Sequence, residues 1–244
     1  DAEPLLFSVH MDTVEPGGQV EPTLRDGVFY SAGETVLGAD DKAGIAEVIE
    51  ALEVVREEGI SHGPIEVVIT IAEEIGLVGA KHLDYDMLDA KRGYALDTEG
   101  VDWMVLQAPG ANHIQVEIEG IAAHAGMTPE LGLSAIQTAA LAIGQMRLGR
   151  IDQETTANIG RIEGGVARNI VPQNVAIVGE ARSHDPLKLK EQTEHMLQCF
   201  EKAADQMTCT IDGEQLRPKV SVDVHADFPS MSVSENSPVV ALAK

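Results

Sequence analysis

Short apolar runs alternate with stretches of helical periodicity up to about residue 107. Residues 5–9, 65–72 and 93–96 read as strands, each a brief β-rich run bounded by charged or turn-forming residues. Between the first two, Ile45, Val48, Ile49, Leu52 and Val55 recur at three- and four-residue intervals and Gly59 ends the pattern, so a helix is expected over about 41–58. A short helix is expected near 79–83. Strands that alternate with helices in this way form βαβ units around a largely parallel sheet.

The pattern changes near residue 108. A strand (113–119), a helix (133–147), two strands (156–163 and 174–181), a helix (187–207) and a final strand region (208–211 and 219–224) follow. The order βαββαβ is that of a ferredoxin-like split βαβ layer. Pro109-Gly110 marks the crossing into this second domain, and the Ser- and Pro-containing stretch 226–238 marks the crossing back. The expected organisation is therefore 1–107, an inserted α+β domain at 108–225, and a return into the first domain at 226–244, where Ser237-Pro238-Val239-Val240 begins a helix.

Composition narrows the function classes. Hydrophobic residues make up 44% of the 244 residues but aromatics only 3%, so the core relies on Ala, Val, Ile and Leu, which suits parallel strands covered by helices. Lys and Arg number 17 against 40 Asp and Glu, a formal charge of −23 that repels a phosphate backbone and an anionic membrane alike. Nucleic acid and membrane are excluded as partners on this ground. Cys199 and Cys209 do not make a disulfide framework, no apolar run approaches the roughly 20 residues of a membrane span, and no signal peptide opens the chain, so the expected location is the cytoplasm.

Four segments at strand ends carry the candidate chemistry: His10-Met11-Asp12, Gly38-Ala39-Asp40-Asp41-Lys42, Glu73-Glu74 and Asp97. The crevice outside the carboxyl ends of parallel strands is where ligands bind in open α/β sheets, so these segments are expected to converge. In a strand His10 and Asp12 lie on one side, which lets Asp12 hold one imidazole nitrogen while the other takes a metal. Asp40 and Asp41 stand at a helix N-terminus. Either can cap it, but capping needs one acid, and the small residues around the pair suggest a close approach that a metal bridged by Asp40 would explain. Glu73 and Glu74 end a buried strand, where two carboxylates repel unless a cation neutralises one. Singly, each segment also reads as a surface pair, a cap or a turn. Jointly they make a hard-to-borderline metal site, for which two Zn²⁺ ions are expected, with Co²⁺ or Mn²⁺ as alternatives.

The same residues resemble a known family. His-Met-Asp-Thr-Val at 10–14, Leu-Gly-Ala-Asp-Asp-Lys-Ala-Gly at 37–44, Ala-Glu-Glu-Ile-Gly at 72–76 and Leu-Asp-Thr at 96–98 resemble the peptidase T branch of the zinc aminopeptidase, carboxypeptidase and aminoacylase superfamily that includes carboxypeptidase G. The likeness continues through Ala123-His124-Ala125-Gly126 and Arg168-Asn169-Ile170-Val171-Pro172. It implies an α/β zinc-peptidase catalytic domain with a mostly parallel sheet and an inserted α+β ferredoxin-like lid that also forms a homodimer. It further implies that His10 and Asp97 bind one metal, that Asp40 bridges to a second held also by Glu74, that Asp12 orients His10, and that Glu73 is the general base. His124, Asn169 and Arg182 are implied to contact substrate, His124 by donating to the tetrahedral oxyanion.

The function this implies is a metal-dependent, tripeptidase-like exopeptidase acting on small peptides, with N-acyl amino acid amidohydrolase or carboxypeptidase action as alternatives. The family's last metal ligand, a C-terminal His, has no counterpart: His225 is the last histidine and sits in the strand leading out of the lid. The family's N-terminal helix and first strand are missing as well. The chain is therefore expected to be a truncated piece, and an inactive metal-binding or dimerisation fragment is the reading from a different class.

Overall fold

The computed structural model describes residues 2–244. In chain order its elements are β1 (Leu5–His10), β2 (Pro22–Arg25), β3 (Val28–Ser31), α1 (Ala39–Glu57), β4 (Ile65–Thr70), α2 (Val78–Lys81), β5 (Gly93–Ala95), β6 (Gln107–Ala108), β7 (Gly110–Glu119), α3 (Ala135–Gln145), β8 (Gly149–Arg150), β9 (Thr155–Gly164), β10 (Asn174–Ser183), α4 (Pro186–Gln206), β11 (Cys209–Ile211), β12 (Glu214–Leu216), β13 (Lys219–Phe228), β14 (Met231–Ser232) and α5 (Pro238–Ala243). They form two units, one running up to Val105 and taking in Ser234–Lys244, the other Leu106–Val233. Among the described residues no helix is long and apolar enough to cross a membrane.

In the first unit β1 is the middle strand of a parallel three-stranded sheet, between β4 and β5. The register pairs His10 with Thr70 and Ser8 with Ala95, so all three strands end at about the same level. Helix α1 packs on β1 through its small residues. A Cβ on Gly44 would lie 2.8 Å from the Leu96 carbonyl oxygen and 3.0 Å from Val9 Cγ1, so glycine is what lets the helix start sit against the strand ends. The expected apolar stripe of α1 is only partly covered: Val48 is buried, while Ile49 and Leu52 remain 52% and 37% exposed, because three strands make a narrower floor than the stripe. Helix α5 returns to this unit, where Val240 is buried and the Tyr94 hydroxyl donates to the Val239 carbonyl at 2.7 Å.

The second unit is a five-stranded sheet in the order β13-β7-β10-β9-β8, antiparallel at every pairing. Its four long strands and two helices realise the ferredoxin-like order, and β8 adds a short edge. Strand alternation sends Ile114, Val116, Ile118, Val175 and Ile177 to one face. There they meet Ala135, Ala139 and Ala142 of α3 and Met196, Phe200 and Ala203 of α4, all buried. The alanines let α3 lie close to the sheet, and Phe200 fills the space between layers.

Two hairpins complete the chain, β2–β3 and β11–β12; β11 lies within the strand expected at 208–211, while β2, β3 and β12 fall outside the elements expected from periodicity. Both turn on Asp-Gly: Asp26 and Gly27 have φ of 50° and 81°, Asp212 and Gly213 of 51° and 85°. Two successive left-handed residues are what a two-residue hairpin turn of type I′ requires. If Gly44 is the spacer that fits α1 to the strand ends, Gly44→Ala should destabilise the first unit by about 1–3 kcal/mol through overpacking, read as a lower denaturant midpoint. An unchanged midpoint would show that the helix can slide without cost.

Candidate metal centre

The three strand ends and the start of α1 bring His10, Asp12, Asp40, Asp41, Glu73, Glu74 and Asp97 together. His10, the last residue of β1, is 2% exposed. Its Nε2 lies 3.1 Å from Asp40 Oδ1, 3.7 Å from Asp97 Oδ1 and 3.9 Å from Glu73 Oε2. Its Nδ1 is 3.3 Å from Asp12 Oδ1, but off the hydrogen-bonding direction, and is left without a hydrogen-bond partner. Burial pulls the His10 pKa down, yet the charges of Asp97 and Glu73 and the hydrogen bond to Asp40 outweigh it and leave the pKa raised.

Two of the acids serve the backbone. Asp12 accepts the Glu73 amide at 3.1 Å and the Glu74 amide at 3.2 Å, one on each carboxylate oxygen. Burial raises the Asp12 pKa, but these amides reverse the sign and hold its carboxyl below the usual range. The chain can present both amides because Ala72 adopts a left-handed φ of 55°, turning it sharply after β4. Asp41, 3% exposed, accepts the His10 amide at 3.2 Å. Burial keeps the Asp41 carboxyl above its ordinary pKa, against the lowering effect of the His10 and Gly44 amides. The N-cap of α1 is Gly38, with no side-chain cap bond, so Asp41 serves the strand end rather than the helix start. Asp40 has non-helical backbone angles, and its side chain is turned to the imidazole.

The remaining carboxylates crowd one another. Burial, followed by the charge of Asp40, pushes Asp97 up to about 6. Burial also raises Glu73, with further contributions from Glu74, Asp12 and Asp40 against the lowering effect of His10. Two donor groups have all their ligand atoms within 4.8 Å of one another: His10 with Asp41 and Asp97, and His10 with Asp40 and Glu74. A buried imidazole whose Nε2 faces Asp40, Asp97 and Glu73, carboxylates that repel one another, fits a divalent cation by donor chemistry and by charge. Asp41 was considered in the sequence only as a cap. Its signal was the doubled acid at a helix start that needs one.

His124, Asn169 and Arg182 belong to the second unit. The first two lie on neighbouring segments, since His124 bridges to Ile170 and the Ala125 amide donates to the Asn169 carbonyl at 2.9 Å. The Gly126 amide donates to His124 Nδ1 at 3.2 Å, which aligns the ring. Arg182 on β10 is forked onto Glu180, with contacts of 3.1 and 2.9 Å.

Residues 107–208 match the family model of the peptidase dimerisation domain, and residues 23–117 match that of the M42 glutamyl aminopeptidases. An uncharacterised protein of Bacillus subtilis, YqjE, is 46% identical over 241 residues, 98% of this chain and 62% of its own length. The crystal structure of an aminopeptidase PepT from Bacillus cereus matches with a TM-score of 0.88 and 46% identity, over 99% of this chain and 63% of that one. A tripeptidase from Staphylococcus aureus matches with a TM-score of 0.91 and 45% identity, over 99% and 62%. The chain therefore spans somewhat under two thirds of the length of these relatives.

Two expectations follow from the geometry. Protons and cations compete for the same atoms, so cation uptake should fall as pH drops, first as the His10 imidazole, its pKa raised above that of a free imidazole, takes a proton, and further through about 6, where Asp97 does. A titration of bound cation against pH that stays flat between neutrality and pH 5 would separate these groups from binding. Asp12→Ala, which releases the Glu73 and Glu74 amides, should weaken cation affinity by about 10–100-fold, measured by competition with a chelating dye.

Proposed function

The chain is peptidase T-like in sequence and fold, and on that premise we propose that it forms the metal-binding and dimerisation portion of a metal-dependent exopeptidase of tripeptidase type. The observation that carries this reading is Glu73, whose pKa is raised beside a buried His10 and whose amide is fixed by Asp12. A carboxylate whose pKa is raised, held at the rim of a cation site, is a stronger base than a free glutamate and suits general-base work.

His10, Asp40, Glu74 and Asp97 would hold the cations, proposed to be two Zn²⁺, and Asp41 stands close enough to His10 and Asp97 to belong to the same set. When bound, the cations polarise the scissile carbonyl and acidify water. Glu73 takes a proton from the attacking water and hands it to the leaving amine. Asp12 fixes the backbone of Glu73 and Glu74 and flanks His10 Nδ1, so both acids keep their orientation during that transfer. His124 would donate a hydrogen bond to the developing oxyanion, a role open to an imidazole ring held by the Gly126 amide. Asn169 would bind substrate polar groups. Arg182 would take a substrate carboxylate bidentately in place of Glu180, exchanging one fork partner for another.

The second unit would form a homodimer. Strand β13 has β7 on one side and, among the described residues, no strand on the other, an open edge that a two-fold copy can extend. The proposed location is the cytoplasm, in keeping with two free, buried cysteines.

In a full-length version, Glu73→Gln should reduce kcat by at least about 100-fold while leaving metal content nearly intact. Retained peptide hydrolysis would sink the assignment. A panel of tripeptides, dipeptides and N-acyl amino acids distinguishes tripeptidase from amidohydrolase or carboxypeptidase action. Sedimentation at several concentrations should show a dimer, and a monomer throughout would remove the edge-pairing proposal.

A further inference from the structure

The face of the five-stranded sheet that lies away from the helices carries a second group of metal-competent side chains. On β7 the core residues Ile114 and Val116 alternate with His113 and Gln115, which therefore project to the opposite face. Strand β13 pairs antiparallel with β7, placing His225 directly across from His113 and Asp223 directly across from Gln115. The four side chains thus occupy two successive rungs on one face. Each imidazole is turned towards the same rung: His225 Nε2 lies 2.8 Å from Asp223 Oδ2, and His113 Nε2 lies 3.0 Å from the Gln115 side-chain nitrogen.

We propose that His113 and His225, with Asp223 and Gln115, form a surface site for a borderline divalent transition-metal ion such as Zn²⁺, Ni²⁺ or Cu²⁺. Directly opposed residues of an antiparallel pair have Cβ atoms about 4.5–5.5 Å apart, close enough for two imidazoles to reach one ion through nitrogens about 2.0–2.1 Å from it. Two imidazoles and a carboxylate are the donor set that zinc, nickel and copper accept, whereas calcium and magnesium favour oxygen. The site is not preassembled: His225 and Asp223 are already in contact, but His113, His225 and Asp223 do not all lie within 4.8 Å of one another as the groups around His10 do. An incoming ion replaces the His113–Gln115 and His225–Asp223 contacts, and Gln115 then offers its amide oxygen by a flip of the side chain. Glu180 pairs in register with His113 on the other side, but its carboxylate is occupied by the Arg182 fork and stays outside the set. The net charge of −23 raises the local concentration of cations at such a face.

Equilibrium dialysis of the whole chain against Zn²⁺ at neutral pH tests the site. His113→Ala and His225→Ala should each weaken one class of bound ion by at least about tenfold, leaving the ions at the His10 centre in place. Asp223→Asn should weaken the same class less. In the wild-type chain, addition of Zn²⁺ should shift the imidazole NMR signals of His113 and His225 together. Unchanged stoichiometry and affinity in both histidine variants would overturn the proposal, as would Zn²⁺-induced shifts confined to His10. Far-UV circular dichroism checks the fold of each variant, and His113→Gln and His225→Gln, which keep side-chain bulk, decide the question if an alanine variant unfolds.

Discussion

Crowding of negative charge around one buried imidazole is the constraint to which the first unit answers. Six carboxylates converge on His10 from four separate segments, and placing like charges together in a partly desolvated crevice is costly unless each has an opposite partner or a donor. The chain resolves two of the six by itself. Asp12 is satisfied by two amides and Asp41 by the amide of His10, so both act as struts. Asp40 meets the His10 imidazole, while Asp97 and Glu73 are left with raised pKa values.

Much of the surrounding architecture positions these groups. The level ends of β1, β4 and β5, the left-handed turn at Ala72 and the missing side chain at Gly44 each remove an obstacle to convergence. The second unit follows another logic. Its core is a one-sided sheet packed under two helices, and its open face and free edge carry the polar groups. One unit thus concentrates charge at strand ends, while the other displays it across a surface.

The long elements were legible because their periodicity survives burial on one face. Ile114, Val116 and Ile118 alternate cleanly, and the α4 pattern led to a helix within a residue of that observed at each end. The convergence of the four segments was legible because acids at the ends of neighbouring parallel strands open into one crevice. Strands β2, β3 and β12 were missed because strands of three or four residues show too little alternation, although Asp26-Gly27 and Asp212-Gly213 were available as turn signals. The division of labour between Asp40 and Asp41 was not legible. It depends on which carboxylate reaches the His10 amide, a contact 31 residues away in sequence.

Because His10 and its neighbours come from β1, the start of α1 and the turns after β4 and β5, a cation bound among them cross-links the unit at the point where its elements end. Such a cross-link acts on the folding equilibrium by mass action. Each tenfold rise in free cation above the dissociation constant deepens the native well by about 1.4 kcal/mol, with no change in any packed contact. The same crevice that would hold the ions then makes the unit's resistance to unfolding a reading of metal supply, and a starved cell would hold this domain nearer to its melting point than a replete one.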